Sequence, residues 1–261
     1  MDLTTLEYRE DEGVAVVTLN RPDVHNSFNE LMKHELAAVW ESLRWNNDVN
    51  VVILTGAGDR AFCTGMDRTE IPVDTPYDPY TYDDPGLVIG PRVCRLWKPV
   101  IAAVNGMAAG GAFYLLGEMD FIIAAEHATF FDPHVTYSMP SVFEAIEMLA
   151  RIPFGEAMRM LLTGTGERVS ARRAYEIGLV TEVVPSEELL DAAMRVARII
   201  AAQPVAAVRS TLRTMWAARN LTPQGATALG NVFLQLGVTN EALHAGQRVF
   251  NSGERAKPRV R

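Results

Sequence analysis

Residues 98–125 read KPVIAAVNGMAAGGAFYLLGEMDFIIAA, and this stretch predicts the fold class. Its two ends, KPVIAAVNG and DFIIAA, are continuous apolar runs of the kind that form strands buried on both faces of a parallel sheet. The segment GGAFYLLGEM between them predicts a short helix. Because strand, helix and strand in this order indicate a crossover connection, we expect an α/β protein with a parallel sheet.

The segments on the N-terminal side extend this pattern. VNVVILTG at 49–56 predicts another buried strand. Residues 6–19 contain LEYRE and VAVVTL on either side of the turn DEG, which predicts a β-hairpin. Ser27 and Glu30 have the spacing of a capping box, and the helix that should follow has one largely apolar face. That face consists of Leu31, Met32, Glu35, Leu36, Val39, Trp40 and Leu43.

From about residue 142 onward the pattern predicts helices, with LVTEVV at 179–184 as the remaining strand. The candidate helix ends are Ser170 and Ser186 as N-caps, Gly178 as a C-terminal stop, and Thr222 followed by Pro223 as a cap with a proline at the first helical position. Two final helices are expected at about 204–219 and 223–250. Since they have little core of their own, we expect them to pack on another subunit.

The chain thus divides into a core at 1–200 and a C-terminal helical oligomerisation part with a basic tail at 201–261. Within the core, residues 71–91 hold five prolines and three tyrosines without periodicity. This composition predicts a long loop, and such loops often bind ligands. We expect it to line the pocket for the substrate.

Composition excludes some classes of function. The net charge of -8 argues against a nucleic-acid partner, which needs a basic face. A local exception is the tail at 248–261, where five basic residues accompany one acid, and a solvated tail is the alternative reading. The two cysteines, Cys63 and Cys94, fit a reducing cytoplasm, and the start MDLTTLEYRED has no secretory signal. We expect no membrane partner and no metal site.

Two glycine motifs compete for interpretation. GAGDRA at 56–61 nearly matches a dinucleotide fingerprint, but Gly65 and Pro72 leave little room for the helix that would carry the pyrophosphate, so we reject a nicotinamide cofactor. GMAAG at 106–110 matches the motif of paired membrane helices, but polar neighbours break the apolar span.

The glycines suit a different purpose. Gly65 precedes Met66, and the pair Gly110-Gly111 opens the predicted helix GGAFYLL. Glycine allows close approach of two backbones, and a helix N-terminus offers unpaired N–H groups. Two such groups converging on one point would form an oxyanion hole, which stabilises a developing negative charge. The alternative is a glycine turn needed only for packing.

At this point the sequence resembles the crotonase (enoyl-CoA hydratase/isomerase) superfamily. The resemblance lies in NRPDVHNSFN, VVILTGAGDRAFCTGMD, KPVIAAVNGMAAGGAFYLL, AAEHATF, LLTGTGERVSARRAYEIGLVTEVVP and the basic C-terminus, in this order. It implies a crotonase-type spiral of ββα repeats, a C-terminal helical part that forms trimers, and commonly a hexamer of two trimers. It also implies an acyl-CoA thioester as substrate, with coenzyme A as part of that substrate and no separate cofactor.

The resemblance also assigns roles to residues. It implies that the thioester oxygen lies between the backbone N–H groups of Met66 and Gly111. Substrate binding falls to Val24, His25, Ala61, Arg68 and Lys257. The family often has a lysine at the position of Thr69, so this chain departs from the usual contact with the nucleotide phosphates.

A larger departure concerns acid–base catalysis. Family hydratases carry two glutamates, and the aligned positions here are Tyr114 and His134. His134 suits a general base because its ordinary pKa lies near working pH, whereas a tyrosine is a much weaker acid. Asp132, which would lie two residues earlier on a strand, is expected to point to the same side and fix the imidazole tautomer. A purely structural role remains the alternative for both: local hydrogen bonding for His134 and packing for Tyr114.

Three hypotheses follow. The leading one is an acyl-CoA enzyme with His134 as base and Tyr114 as its candidate partner, which hydrates short straight-chain enoyl-CoA only weakly. The second is hydrolytic C–C cleavage of a cyclic β-keto acyl-CoA or a β-diketone. The third is an acyl-CoA-binding subunit without catalysis. Glu144 and Glu147, on the helix after MPS, are reserve carboxylates.

Overall fold

The computed structural model describes residues 2–70, 84–253 and 257–260. The strands of these residues are β1 (Leu6–Asp11), β2 (Val14–Leu19), β3 (Val51–Gly56), β4 (Ala61–Cys63), β5 (Val100–Val104), β6 (Met107–Ala109), β7 (Phe121–Ala125), β8 (Thr129–Phe131), β9 (Val169–Ser170) and β10 (Glu182–Val184). The α-helices are α1 (Glu30–Trp45), α2 (Ala112–Glu118), α3 (Phe143–Leu149), α4 (Phe154–Thr163), α5 (Ala171–Glu176), α6 (Leu189–Ala201), α7 (Val205–Asn220), α8 (Pro223–Ala228), α9 (Gly230–Gly237) and α10 (Asn240–Ser252).

The chain forms two compact units, Met1–Ala201 and Ala202–Arg261. The first contains a six-stranded sheet in the order β1-β2-β3-β5-β7-β10 and a four-stranded sheet in the order β4-β6-β8-β9. In the larger sheet β1 and β2 form the predicted antiparallel hairpin, and the remaining neighbours are parallel. The predicted α/β class with a parallel sheet is therefore confirmed.

The stretch 98–125 supplies β5, β6, α2 and β7, which is one strand more than expected. The additional strand β6 follows the turn at Gly106 and pairs with β4 and β8 of the smaller sheet. A Cβ on Gly106 would lie 2.6 Å from the carbonyl carbon of Arg60, so only glycine fits this close crossing. The turn after β5 thus moves the chain from one sheet to the other.

Helix α1 begins later than the capping-box prediction. Its N-cap is Asn29, whose side chain accepts a hydrogen bond from the N–H of Met32, so the assignment of Ser27 is wrong. The preceding left-handed residues His25 and Asn26 turn the chain, and this delays the helix start. The predicted inner face is buried except for Leu31, which is 45% exposed.

Among the later helix ends, Ser170 and Thr222 are N-caps as predicted, and Gly178 has the left-handed φ of a helix stop at +85°. Ser186 is not an N-cap, because its hydroxyl hydrogen-bonds the ring of His127 at 2.7 Å and Pro185 takes the position before the 3₁₀ helix. The contact fixes a loop rather than a helix end.

The predicted final helix at 223–250 is wrong in extent, since the second unit contains α8, α9 and α10 there. The break before α10 occurs where Val238 is extended and Thr239 caps the new helix through the N–H of Ala242. Many apolar side chains of this unit are exposed, among them Met215, Val232, Leu234, Leu236, Leu243, Val249 and Phe250. That they pack on another subunit stays a prediction.

The predicted loop at 71–91 lies largely outside the described residues. Its described end contains a 3₁₀ helix, Pro85–Val88, which Asp84 caps by accepting a hydrogen bond from Gly86. In the parts of the chain that the structure describes, no helix has the length and apolar character needed to cross a membrane.

Candidate active site

The first part of the site, the backbone part, consists of main-chain atoms of Gly65–Met66 and Gly110–Gly111. A Cβ placed on Gly65 would lie 2.7 Å from the amide nitrogen of Gly111, so the two glycine backbones are in direct apposition. Gly65 also has a φ of +87°, which side chains rarely adopt. This crossing brings the loop after β4 against the N-terminus of α2.

The position of this loop is fixed from the other side by Phe28. Its N–H donates to Gly65 O at 2.9 Å and its carbonyl accepts from the N–H of Asp67 at 2.8 Å. Met66 lies between these two bonds. Within residues 2–70, 84–253 and 257–260, the amides of Met66 and Gly111 donate to no protein acceptor. Two N–H groups without a partner among the described residues therefore lie on adjacent backbones, and their convergence into an oxyanion hole stays a prediction.

Histidine lies next to this backbone part. A Cβ on Gly110 would lie 3.6 Å from Cε1 of His134, which is ordinary van der Waals contact. Because Gly110 directly precedes Gly111, His134 lies beside the chain segment that carries the Gly111 amide. A titratable side chain and candidate oxyanion donors thus occupy one place.

The contact between Asp132 and His134 forms as predicted, but the expected geometry is wrong. Strand β8 ends at Phe131, and His134 begins a 3₁₀ helix, so strand alternation does not align the two side chains. Instead the chain turns back, and Asp132 Oδ1 accepts from the N–H of His134 at 2.9 Å and from its Nδ1 at 2.8 Å. Ser141 Oγ donates to Asp132 Oδ2 at 3.0 Å.

These bonds set the chemistry of the imidazole. Asp132 is fully buried, and with its Oδ1 as acceptor the proton of neutral His134 lies on Nδ1. The hydrogen bond to Asp132 raises the pKa of His134, burial opposes this, and the negative charges of Asp132 and Glu144 raise it further. Nε2 is left as the basic nitrogen.

Glu144, only a reserve candidate from the sequence, lies at that nitrogen. It is in the first turn of α3, is 5% exposed, and has Oε1 3.4 Å from Nε2 of His134. Burial raises the pKa of its carboxyl, as do the charges of Asp132 and Asp84, while His134 lowers it. Glu147 instead packs against Gly117 of α2.

Tyr114 projects from α2 into the same region. Its hydroxyl faces the carboxyl groups of Asp84 and Glu144, and its ring contacts Gly86. Burial, followed by the proximity of Asp84 and Glu144, raises the pKa of Tyr114 well above its ordinary value. Asp84 was missed by sequence reasoning, because an acid in a proline-rich loop carries no positional signal.

The structure places the predicted substrate-binding residues in separate segments of the chain. Val24 ends a 3₁₀ helix, His25 follows it with a φ of +56°, and Asn26 Nδ2 joins this turn to Ala61 by donating to its carbonyl at 2.8 Å. Arg68 is exposed, with its guanidinium 5.7 Å from the ring centre of Tyr137. Lys257 is exposed in the second unit.

Comparisons with known proteins identify the family of the chain. The model of the enoyl-CoA hydratase/isomerase family matches residues 9–251. Among curated proteins, the chain is 39% identical to an (E)-benzylidenesuccinyl-CoA hydratase of Thauera aromatica over 76% of this chain and 77% of that protein. It is 38% identical to a 1,2-epoxyphenylacetyl-CoA isomerase of Escherichia coli over 74% of this chain and 75% of that protein.

Solved structures show the same fold. An enoyl-CoA hydratase/isomerase from Mycobacterium paratuberculosis superposes with a TM-score of 0.89 at 33% identity and covers 100% of both chains. An enoyl-CoA hydratase from Mycobacterium smegmatis gives 0.88 at 27% identity, covering 97% of this chain and 98% of that one. The chain therefore belongs to the enoyl-CoA hydratase/isomerase family, the crotonase superfamily.

Proposed function

We infer that this protein acts on an acyl-CoA thioester by stabilising its enolate, with His134 as the general base. The observation that supports this inference is the apposition of the Gly65–Met66 and Gly110–Gly111 backbones, with His134 next to Gly110. Relatives named as CoA-thioester hydratases and as an isomerase support the substrate class.

The backbone amides provide the electrostatic part of catalysis. When a proton leaves the α-carbon or a nucleophile adds to the β-carbon, the thioester oxygen becomes negatively charged. Two fixed N–H donors at Met66 and Gly111 stabilise that oxygen without reorganising, and the loss of one such donor typically costs about 10²- to 10³-fold in rate. This contribution is the same for every reaction that passes through the enolate.

His134 provides proton transfer. In hydration of an enoyl thioester, Nε2 accepts a proton from water while the water oxygen bonds to the β-carbon, and the electron pair of the double bond moves toward the thioester oxygen. Asp132 holds the proton on Nδ1, which keeps Nε2 available as the base. Weak hydration of short straight-chain enoyl-CoA remains a prediction that follows from the absent glutamate pair.

Hydrolytic C–C cleavage is a second candidate, and the pairing of Asp132 with His134 favours it because such a pair is suited to deprotonating water. The resulting hydroxide would add to the β-ketone, the C–C bond would break, and the electron pair would leave as the same thioester enolate. Protonation of the α-carbon would complete the reaction.

Three measurements test the proposal. Exchange of α-hydrogens of a saturated acyl-CoA in D₂O, followed by mass spectrometry, detects the enolate whatever the final reaction. Turnover of crotonyl-CoA, longer and aromatic enoyl-CoA thioesters and a cyclic β-keto acyl-CoA then separates hydration from C–C cleavage. We expect exchange with at least one acyl group. Acyl-CoA binding by calorimetry without exchange or turnover would instead identify a binding subunit.

Further parts of the proposal rest on the family resemblance. We propose that Val24, His25, Ala61, Arg68 and Lys257 contact the substrate, that coenzyme A enters only as part of it, and that Tyr114 takes part in catalysis beside His134. We also propose a cytoplasmic homotrimer or hexamer in which the second unit supplies the contacts, which light scattering would detect.

A further inference from the structure

We propose that Glu144 of α3 is the second catalytic residue, the acid that delivers a proton to the α-carbon, and that it shares this proton with His134. This inference rests on the proposed function. It assigns the role of acid to Glu144 on α3. The alignment with the family motif instead suggests Tyr114, which lies on α2.

The first argument is contact. Asp132 occupies one imidazole nitrogen, so the other, Nε2, is the one available for chemistry, and Glu144 Oε1 lies 3.4 Å from it. At this distance a small movement of either side chain allows direct proton transfer or transfer through one water. The two groups that reaction requires, a base and an acid, are therefore adjacent.

The second argument is environment. Glu144 is buried, and among the described residues the one cation-forming side chain within ion-pair distance of it is His134. The other titratable groups that face it are Asp84, Tyr114 and Asp132, two of which carry carboxyl groups. A buried carboxyl among other acids favours its neutral form, and a neutral carboxyl is a proton donor.

Tyr114 serves this arrangement without transferring the proton. Its hydroxyl faces Glu144, and because its pKa is raised above the ordinary value it is a poor acid at neutral pH. A packed tyrosine beside the carboxyl limits the orientations that Glu144 adopts. We assign Tyr114 as a positioning residue for Glu144.

His134 and Glu144 together account for every proton that is transferred during hydration. During hydration Nε2 of His134 takes one proton from water, the hydroxyl oxygen bonds to the β-carbon, and neutral Glu144 gives its proton to the α-carbon. The site then holds an imidazolium beside a carboxylate. Transfer of the proton from Nε2 to Oε1 restores the starting state, so no further acid or base is required.

The test compares Glu144→Gln with Glu147→Gln, a matched control on the same helix whose side chain packs against Gly117. Glu144→Gln keeps the shape of the side chain and removes its titratable proton. We expect α-hydrogen exchange and turnover of the best substrate to fall by about 10²- to 10⁴-fold in Glu144→Gln and to stay within about two-fold in Glu147→Gln. Glu144→Asp should retain part of the activity.

The pH profile adds a readout that a structural role would not change. Wild-type turnover should be bell-shaped, because the active pair holds one proton: a second proton blocks Nε2 at low pH, and loss of the shared proton disables the acid at high pH. In Glu144→Gln the alkaline decline due to the shared proton should disappear. If folded Glu144→Gln shows the same α-hydrogen exchange, turnover and pH profile as the wild type, the inference is overturned.

The outcomes also separate this inference from the proposed function. Activity that depends on His134 but not on Glu144 would reject Glu144 as the acid and leave the enolate mechanism intact. Absence of exchange and turnover in the wild type would reject the enolate mechanism itself. If Glu144→Gln fails to fold, a folded Glu144→Asp with reduced activity and a bell-shaped pH profile supports the assignment, and an unchanged rate or a complete loss of activity opposes it.

Discussion

The candidate site has two parts that differ in construction. One consists of the Gly65–Met66 and Gly110–Gly111 backbones, where the close approach of Gly65 to Gly111 leaves no room for a side chain on Gly65. The other consists of titratable side chains on Asp132, His134 and Glu144, held in a buried environment. The amides carry no titratable proton, so pH should affect catalysis through the side-chain part alone. In the proposed mechanism the backbone part stabilises charge at every pH, whereas the side-chain part transfers protons in a way that depends on pH.

The largest expected effect is in the backbone part. Gly65→Ala would place a Cβ 2.7 Å from the amide nitrogen of Gly111 and force the two loops apart. Since both donors would move, we expect α-hydrogen exchange to fall by more than about 10³-fold. Exchange in D₂O measures this effect at any pH at which the wild type is active.

Gly178→Ala is the control for Gly65→Ala. Gly178 has a similar φ of +85°, but a Cβ there meets nothing within 4 Å. Both variants should lose about 1 to 2 kcal/mol from the strained backbone, and Gly178→Ala should retain full activity. Equal activity in the two variants would show that the apposition has no catalytic role.

Removing the base should have the next largest effect. His134→Ala leaves the backbone amides in place but eliminates Nε2, so hydration or C–C cleavage should fall by about 10²- to 10⁴-fold. Steady-state turnover measures the loss. His127→Ala, at an exposed histidine that contacts Ser186 and Asp59, should have no effect on turnover. Undiminished turnover in His134→Ala would place the base elsewhere.

Asp132→Asn should weaken the side-chain part without removing it. The hydrogen bond and charge of Asp132 raise the pKa of His134, so their loss should lower that pKa and move the acidic limb of the rate profile to lower pH. Turnover should fall by about 10²-fold, the lower end of the range for loss of the base, because Nε2 remains while its tautomer is no longer held. A limb that stays in place would contradict the assigned role of Asp132.

Tyr114→Phe should have the smallest effect. If Glu144 delivers the proton, removal of the Tyr114 hydroxyl changes only the position of the acid, and turnover should fall by less than about 10-fold. A loss as large as that of His134→Ala would return the acid role to Tyr114. Turnover and thermal unfolding should be measured together, because Tyr114 is also part of the core.

The two parts of the site also differ in how well sequence predicts them. The backbone part was predicted from glycines that follow apolar strands. A single glycine precedes Met66 and a pair precedes α2, and both have local causes in turn and helix geometry. His134 and Asp132 were identified as close neighbours in the chain. Their contact was predicted, but through strand alternation, and the real cause is the turn that follows β8.

The sequence by itself determined the strands of the larger sheet, most of the predicted helix caps and the parallel order, since apolar runs, caps and turns act over a few neighbouring residues. Only the tertiary structure decided that Glu144 meets Nε2 of His134 and that Asp84 meets Tyr114. These side chains lie on separate elements, and no spacing along the chain encodes the distance between them. Packing of α3 against α2 and of the Pro85–Val88 turn against Tyr114 brings them together, so the acid and its environment arise from the folded state alone.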